Sequence, residues 1–268
     1  MDKKIAIIGG SGIANLFKTE GKILHVDTPF GISQPIAIYS IQGKEILFTN
    51  RHALPGTKNF EHVLPPHRIN SRALIYGLSK LGARRIIAIN SVGALRKELI
   101  IGNFAIVTQF IDMTKRREYS FFDGIYRGKN EILGDSSRVV HVDMTNPFCS
   151  EINKVIVESA KELNYEIYTG VCYVCTEGPR LETPAEIKFY RNVGADVVGM
   201  TLIPEVILAR EIGLCYTSLS LITNYAAGMQ ERVSLEEVKE VYKKNEERIY
   251  NLIIRAISKL GENRNCNC

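Results

Sequence analysis

No stretch of the 268-residue chain approaches the roughly 18 consecutive apolar residues that a membrane helix needs. The apolar run nearest the start, Ile5 to Ile8, stops at once at two glycines and is too short for the apolar region of a signal peptide. These absences argue against a membrane partner and predict a soluble, cytoplasmic protein. Blocks of one charge are missing as well. The 34 Lys and Arg and the 29 Asp and Glu are interleaved, so the net charge of +5 makes no basic face for nucleic acid and favours only small anions. There is no internal repeat, no linker and no segment of disordered composition. A hydrophobic content of 45% over this length is enough for one large core. The expectation is a single domain over residues 1–261, followed by a flexible Cys-x-Cys tail at 262–268.

Metal and dinucleotide fingerprints are also lacking. Among the six cysteines, Cys172 and Cys175 form a Cys-x-x-Cys that no second pair matches. They fall in a run that reads as a strand, where residues three apart face opposite sides, so burial is favoured over a shared zinc or a disulfide. Cys266 and Cys268 are expected to be exposed and idle unless oxidised. A tail disulfide stays open, as does the redox state of Cys149 and Cys215. His62 and His67 flank Pro65-Pro66, which breaks any helical face and argues against a common metal. Gly10-Ser11-Gly12 is followed by Ile13-Ala14-Asn15, without the third small residue of a dinucleotide turn.

What is present is an alternation of apolar strands and amphipathic helices, which predicts an α/β fold in one domain, a mixed twisted central sheet flanked by helices. Lys4 to Ile8 reads as a strand running into the Gly9-Gly10-Ser11-Gly12 turn, whose N–H groups and hydroxyl suit an anion. Ile36 to Tyr39 and Glu45 to Thr49 pair around Gln42-Gly43, and the second strand ends at Asn50-Arg51-His52, a fork and an imidazole suited to phosphate. Residues 53–64 read as a mobile loop or lid. A helix from Arg68 to Leu81 precedes a strand from Arg85 to Ile89 that terminates at Asn90-Ser91-Val92-Gly93. After a strand at Phe104 to Phe110 comes an aromatic loop from Met113 to Gly124, either a subunit contact or packed inward. Further along are helices at 150–163, capped by Ser150, at 184–193, at 204–212, and from near Ser234 to 260. Strands at 168–175, 196–199 and 216–222 alternate with them.

The polar interruptions in this frame carry a resemblance. Gly9-Gly10-Ser11-Gly12, Asn50-Arg51-His52, Pro65-Pro66-His67-Arg68-Ile69-Asn70, Gln109-Phe110-Ile111-Asp112, Tyr119 to Gly124, Glu177-Gly178-Pro179-Arg180 and Gly199 to Val206 occur in one order from Ile5 to about Leu260. Together they resemble the trimeric purine nucleoside phosphorylase and 5′-methylthioadenosine phosphorylase family. The resemblance implies that phosphate attacks C1′ of a purine nucleoside and releases base and ribose 1-phosphate, with no metal or organic cofactor and phosphate as co-substrate. It implies a homotrimer or a dimer of trimers. Carried over by residue, Ser11, Arg51, His52, Thr201 and the backbone around Asn90 and Ser91 would hold phosphate. Met200 would lie against the sugar and Leu181 against the base, with Tyr225 and Ala226 completing the nucleoside site. Asn224 would hydrogen-bond N7 as charge develops there.

The base site departs from the methylthioadenosine branch, which has Thr-Asp-Tyr-Asp where this chain has Thr223-Asn224-Tyr225-Ala226, and a serine in place of Glu182. A carboxylate at 182 accepts from the N1–H of hypoxanthine or guanine and opposes the N1 lone pair of adenine, so a 6-oxopurine substrate is expected. The alternative is a methylthioadenosine phosphorylase. At the 5′ end Leu235 replaces the histidine of mammalian 6-oxopurine enzymes, which admits a methylthio group. His141 and Phe148 match positions that complete this pocket from a neighbouring subunit, or simply pack at an interface.

Overall fold

A computed structural model describes residues 4–10, 22–261 and 263–268. The expected phosphate ligand Ser11 lies outside them. The core is a nine-stranded mixed sheet with helices on both faces, in agreement with the expected architecture. Its members are β1 (Lys4–Gly9), β2 (Lys22–Leu24), β5 (Ile36–Ile41), β6 (Lys44–Asn50), β7 (Ala83–Ala94), β8 (Phe104–Met113), β11 (Ile167–Thr176), β12 (Val197–Gly199) and β13 (Cys215–Tyr225). Two short ribbons stand apart from it, β3 (Asp27–Thr28) with β4 (Gly31–Ile32), and β9 (Lys129–Asn130) with β10 (Gly134–Asp135). The order in the sheet is β12-β11-β8-β13-β7-β1-β6-β5-β2, and β12 also pairs antiparallel with β7. That last pairing closes five strands on themselves and leaves β1, β6, β5 and β2 as an open wing.

β1, β6, β7 and β13 run parallel, so their carboxyl ends gather at one end of the sheet. Such convergence is where ligands bind in open α/β sheets. β7 and β13 are buried along almost their whole length, as strands covered on both faces must be. The cover comes from α1 (Ser71–Lys80) against α4 (Leu202–Glu211) on one side and α2 (Ser150–Glu162) against α5 (Leu235–Lys259) on the other. α3 (Pro184–Asn192) buries Ile187 and Tyr190 in a smaller core with Leu95, Val174 and Val198.

Several local expectations hold. The β5–β6 hairpin turns through Gln42 and Gly43, both at positive φ, as a two-residue turn of the primed type demands. Ser234 caps α5 through the Glu237 N–H. Ile203 is extended within α4, so its regular turns begin at Pro204 as expected. The aromatic loop packs inward, with Phe121 and Phe122 buried in the main core. Other expectations are corrected. β7 does not stop at Asn90 but continues to Ala94, because β13 and then β12 supply partners beyond the last residue paired with β1. Cys149, not Ser150, is the cap residue of α2. The tail is not a free appendage: Arg85 donates to the carbonyls of Gly261 and Asn263, and the Asn265 N–H donates to Glu151, which fastens it to the body.

Candidate active site

The β6 end brings Arg51 and His52 beneath the carboxyl ends of β1 and β7. Arg51 is fully buried, and its Nε donates to Glu205 Oε1 at 2.6 Å while its terminal nitrogens donate to Glu205 Oε2 and to the carbonyls of Ile8, Gly9 and Ile89. All five guanidinium N–H groups are thereby committed. Burial opposes its charge, but Glu205 outweighs burial and holds it protonated. Glu205 also accepts from the Tyr216 hydroxyl at 2.8 Å. Arg51 is therefore the knot of a buried ion pair, not the open fork expected from its place after a strand. His52 is buried too. Its Nδ1 lies 2.7 Å from the Leu64 carbonyl, which only accepts, so the ring hydrogen is on Nδ1 and Nε2 is left as an acceptor. Burial, the stacked His62 ring at 3.8 Å and Arg51 push its pKa down to about 3, so the ring is neutral. The loop over residues 53–64 is tied down, Asn50 donating to the Phe60 carbonyl and His52 accepting from Val63 and Leu64.

Above Ala88, the last β7 residue paired with β1, the Ile89 carbonyl turns to Arg51. By strand alternation the Ser91 N–H faces the same way, past the end of the β1 ladder. The Asn90 side chain points elsewhere, donating to Ser218 and accepting from Ser220. Across the closing pair, Thr201 stands at the start of α4 with its N–H donated to the Tyr173 hydroxyl.

Glu182 lines an open cleft of about 560 Å³ together with Met113, Thr176, Gly178, Phe189 and Tyr190. The Thr176 hydroxyl donates to Glu182 Oε1 at 2.6 Å, which fixes the carboxylate in the cleft. Burial raises the Glu182 pKa, only partly offset by Thr176. The neighbouring Glu186 is already used: it closes a capping box with Thr183 and pairs with Arg180, which draws its pKa down to about 2. Met200 meets the cleft at Gly178, where an added Cβ would stand 2.6 Å from the Met200 sulfur, and φ is +65°. Leu181, expected against the base, is exposed and outside the cleft lining, and Phe189 and Tyr190 present the aromatic surface instead.

Asn224 sits near the end of β13, buried and held by both neighbours. Its Oδ1 accepts from the Thr223 hydroxyl at 2.9 Å, and its Nδ2 donates to the Tyr225 carbonyl at 2.9 Å. One amide hydrogen and one Oδ1 lone pair remain. The Ala226 N–H donates to Ala94, and the Tyr225 N–H to Gln230, whose own amide reaches Glu237 in the first turn of α5. That tether brings exposed Leu235, the first residue of α5, toward the segment after Asn224.

A family model described as Phosphorylase superfamily matches residues 4–258. The chain belongs to the phosphorylase superfamily. An S-methyl-5′-thioadenosine phosphorylase of Pyrococcus horikoshii is 44% identical over 266 residues, covering 99% of this chain and 96% of the relative. A probable 6-oxopurine nucleoside phosphorylase of Dictyoglomus turgidum is 43% identical over 268 residues, covering 99% and 95%. A solved methylthioadenosine phosphorylase of Schistosoma mansoni in complex with adenine superposes with a TM-score of 0.84 at 30% identity, over 98% of this chain and 93% of that one.

Within this superfamily member the described residues divide clearly. Ser91, Thr201, Met200 and Asn224 lie on or next to the closing β7–β12 pair, Glu182 is joined to it through Thr176, and His52 stands beside Arg51 just past the end of β6. Phe148 does not reach outward: it is buried against Phe110 and Tyr216 of the same chain, so packing is its role. His141 is exposed. Residues that sequence reasoning left without a task are Thr176 and Thr223, which aim Glu182 and Asn224, together with Gln230 and Glu205. A hydroxyl two residues or fewer from a strand end was the available signal for the threonines. Glu205 stood in a quoted motif but nothing local announced Arg51 as its partner, 154 residues away.

Proposed function

We propose that the chain is a purine nucleoside phosphorylase acting on 6-oxopurine nucleosides, inosine, guanosine and 5′-methylthioinosine. The observation that carries the reading is the half-buried Glu182 carboxylate, oriented by Thr176 and lining the cleft. It accepts the N1–H of a 6-oxopurine. Asn224 donates its remaining amide hydrogen to N7. A phosphate oxygen attacks C1′ as the bond from C1′ to N9 breaks, and the electron pair passes into the purine, where the Asn224 N–H stabilises it. Phosphate is held by the Ser91 N–H, Thr201 and the neutral His52, whose Nε2 accepts from a phosphate O–H, while Arg51 supports the site from below. Ser11 is part of the same reading, as is inorganic phosphate as the sole co-substrate. A cytoplasmic homotrimer, in which exposed His141 faces a neighbour's 5′ pocket, completes it.

A second reading, methylthioadenosine phosphorylase, is favoured by one feature: apolar Leu235, tethered through Gln230 to Tyr225, suits a methylthio group. Relatives of both names match at nearly equal identity. Base release from inosine, 5′-methylthioinosine and 5′-methylthioadenosine, each with and without phosphate, separates them. Phosphate-dependent cleavage of the two oxopurine nucleosides is expected. Rapid cleavage of methylthioadenosine with none of inosine would overturn the first reading in favour of the second.

A further inference from the structure

His62 has no task in the chemistry proposed for the site, yet its placement is specific. Residues 60–64 form a clip around His52. Asn50 Nδ2 donates to the Phe60 carbonyl at 2.6 Å, the Val63 and Leu64 N–H groups donate to the His52 carbonyl at 2.9 and 2.8 Å, and His52 Nδ1–H returns a bond to the Leu64 carbonyl at 2.7 Å. Phe60 anchors the start of the clip, its ring centroid 5.5 Å from that of Phe48 in β6. Within the clip the His62 ring lies on the His52 ring, centroids 3.8 Å apart and planes within 10° of parallel. Glu61, His62 and Val63 are exposed, whereas His52 is only 5% exposed, so the outer imidazole stands between the inner one and solvent.

We propose that His62 is a positioning residue for phosphate: its ring fixes the plane of His52 and covers its outer face, which holds Nε2 in one direction. This role rests on the reading of His52 as a phosphate ligand. One hydrogen bond does not fix an imidazole, because the ring can still swing out of plane about the contact from Nδ1 to the Leu64 carbonyl. A neighbour lying flat on its face removes that freedom, and the two contacts together define where Nε2 points. The stack requires that charge be kept off it, since two imidazolium rings at this distance repel. Burial of its stacked face and the positive charges of Arg51, at the end of β6, and Lys239, one helical turn past Leu235 in α5, lower the His62 pKa. Both rings are therefore neutral at pH 7 and can lie flat on each other.

The test measures phosphate KM and kcat with the nucleoside the protein cleaves fastest, for the native chain, His62→Ala, His62→Phe, His52→Ala and the double variant His52→Ala with His62→Ala, with melting curves alongside. His62→Ala should raise the phosphate KM about tenfold and leave kcat at saturating phosphate within about twofold of native, because a misaimed ligand weakens phosphate binding without touching C1′. As an exposed position, it should leave Tm near the native value. His62→Phe keeps a flat ring and loses both nitrogens, and should return the KM to within about twofold of native. In the His52→Ala background, removal of His62 should add nothing. Equal KM values for native and His62→Ala, a phenylalanine as damaging as alanine, or losses that add in the double variant would each overturn the proposal, the last because His62 would then bind phosphate in its own right. His52→Ala separates the two levels. An unchanged phosphate KM there removes the phosphate reading of His52 and the role of His62 with it, whereas a raised KM there with none in His62→Ala removes the role of His62 alone.

Discussion

Replacing Glu182 by Gln changes one atom type at the cleft and nothing in its volume. In the native protein Thr176 donates to Oε1 at 2.6 Å, and a glutamine carbonyl accepts the same bond, so the side chain keeps its orientation. The outward oxygen becomes an NH₂. Toward the N1–H of hypoxanthine, donor then faces donor, whereas toward adenine N1 the pair is matched. A hydrogen bond to a charged group contributes about 1.5–3 kcal/mol. At 1.4 kcal/mol per factor of ten, kcat/KM for inosine should fall roughly 10- to 150-fold, and that for adenine nucleosides should rise. The KM for phosphate should not move. Stability separates this from general damage. Burial raises the Glu182 pKa above 4.5, so the folded state binds that proton more tightly than the unfolded chain. The resulting stabilisation is complete below pH 4.5 and is lost as pH rises through the folded value. At neutral pH the half-buried charge is a cost, and the glutamine variant should melt at the same temperature or higher. Steady-state kinetics with inosine, adenosine and methylthioadenosine, with melting curves alongside, read all of this. An inosine preference within about threefold of the native protein would refute the assignment of Glu182 to N1.

Three further outcomes follow from the same geometry. Glu205→Ala leaves the Arg51 guanidinium buried without its counter-charge and should cost about 3–5 kcal/mol in denaturant unfolding; a loss under ~1 kcal/mol would show that the pair is solvated. Thr223→Val removes the hydroxyl that fixes Asn224 Oδ1 and should lower kcat about tenfold with the phosphate KM unchanged, Thr223→Ser restoring most of it; equal loss in both variants would point to packing alone. His52 is held neutral with a pKa pushed from 6.5 down to about 3, so its contribution to stability is full above 6.5 and lost as pH falls toward 3. Unfolding titrations should therefore show about one proton taken up by this group across that window, absent in His52→Gln, and an unchanged slope in the variant would contradict a neutral ring.

Strand ends were legible in the sequence because each is a local event, an apolar run meeting a polar residue. Asn50-Arg51-His52 and Gly199-Met200-Thr201 fall where that rule puts them, whereas β7 and β13 run on to Ala94 and Tyr225, past Asn90 and Thr223 where their apolar runs stop. What the polar residues do there is set by partners far along the chain, which local pattern does not encode. Arg51 has the chemistry of an anion fork, yet Glu205 and three carbonyls consume every donor, and only the tertiary structure brings them together. The tail shows the same limit. A terminal Cys-x-Cys reads as exposed, but Arg85 and Glu151, both more than a hundred residues earlier, bind its backbone and seat it beside Cys149 and Cys215.

The relative placement of Asn224, Met200 and Thr201 depends on two glycines at the closing pair. β12 runs antiparallel to β7 with Val198 opposite Gly93, and Gly199 follows. A Cβ at Gly199 would stand 2.1 Å from the Tyr173 hydroxyl, the group that holds the Thr201 N–H. A Cβ at Gly93 would stand 3.1 Å from Asn224 Nδ2 and 3.3 Å from Val198. Side chains at either position would push the strands apart at the point where Asn224, Met200 and Thr201 converge, and the Thr176 hydroxyl, which also lies 3.4 Å from the Gly199 carbonyl, would lose its place under Glu182. Because one backbone contact thus positions the groups proposed for base, sugar and phosphate together, the closure of β7 on β12, and not any single side chain, sets their mutual placement.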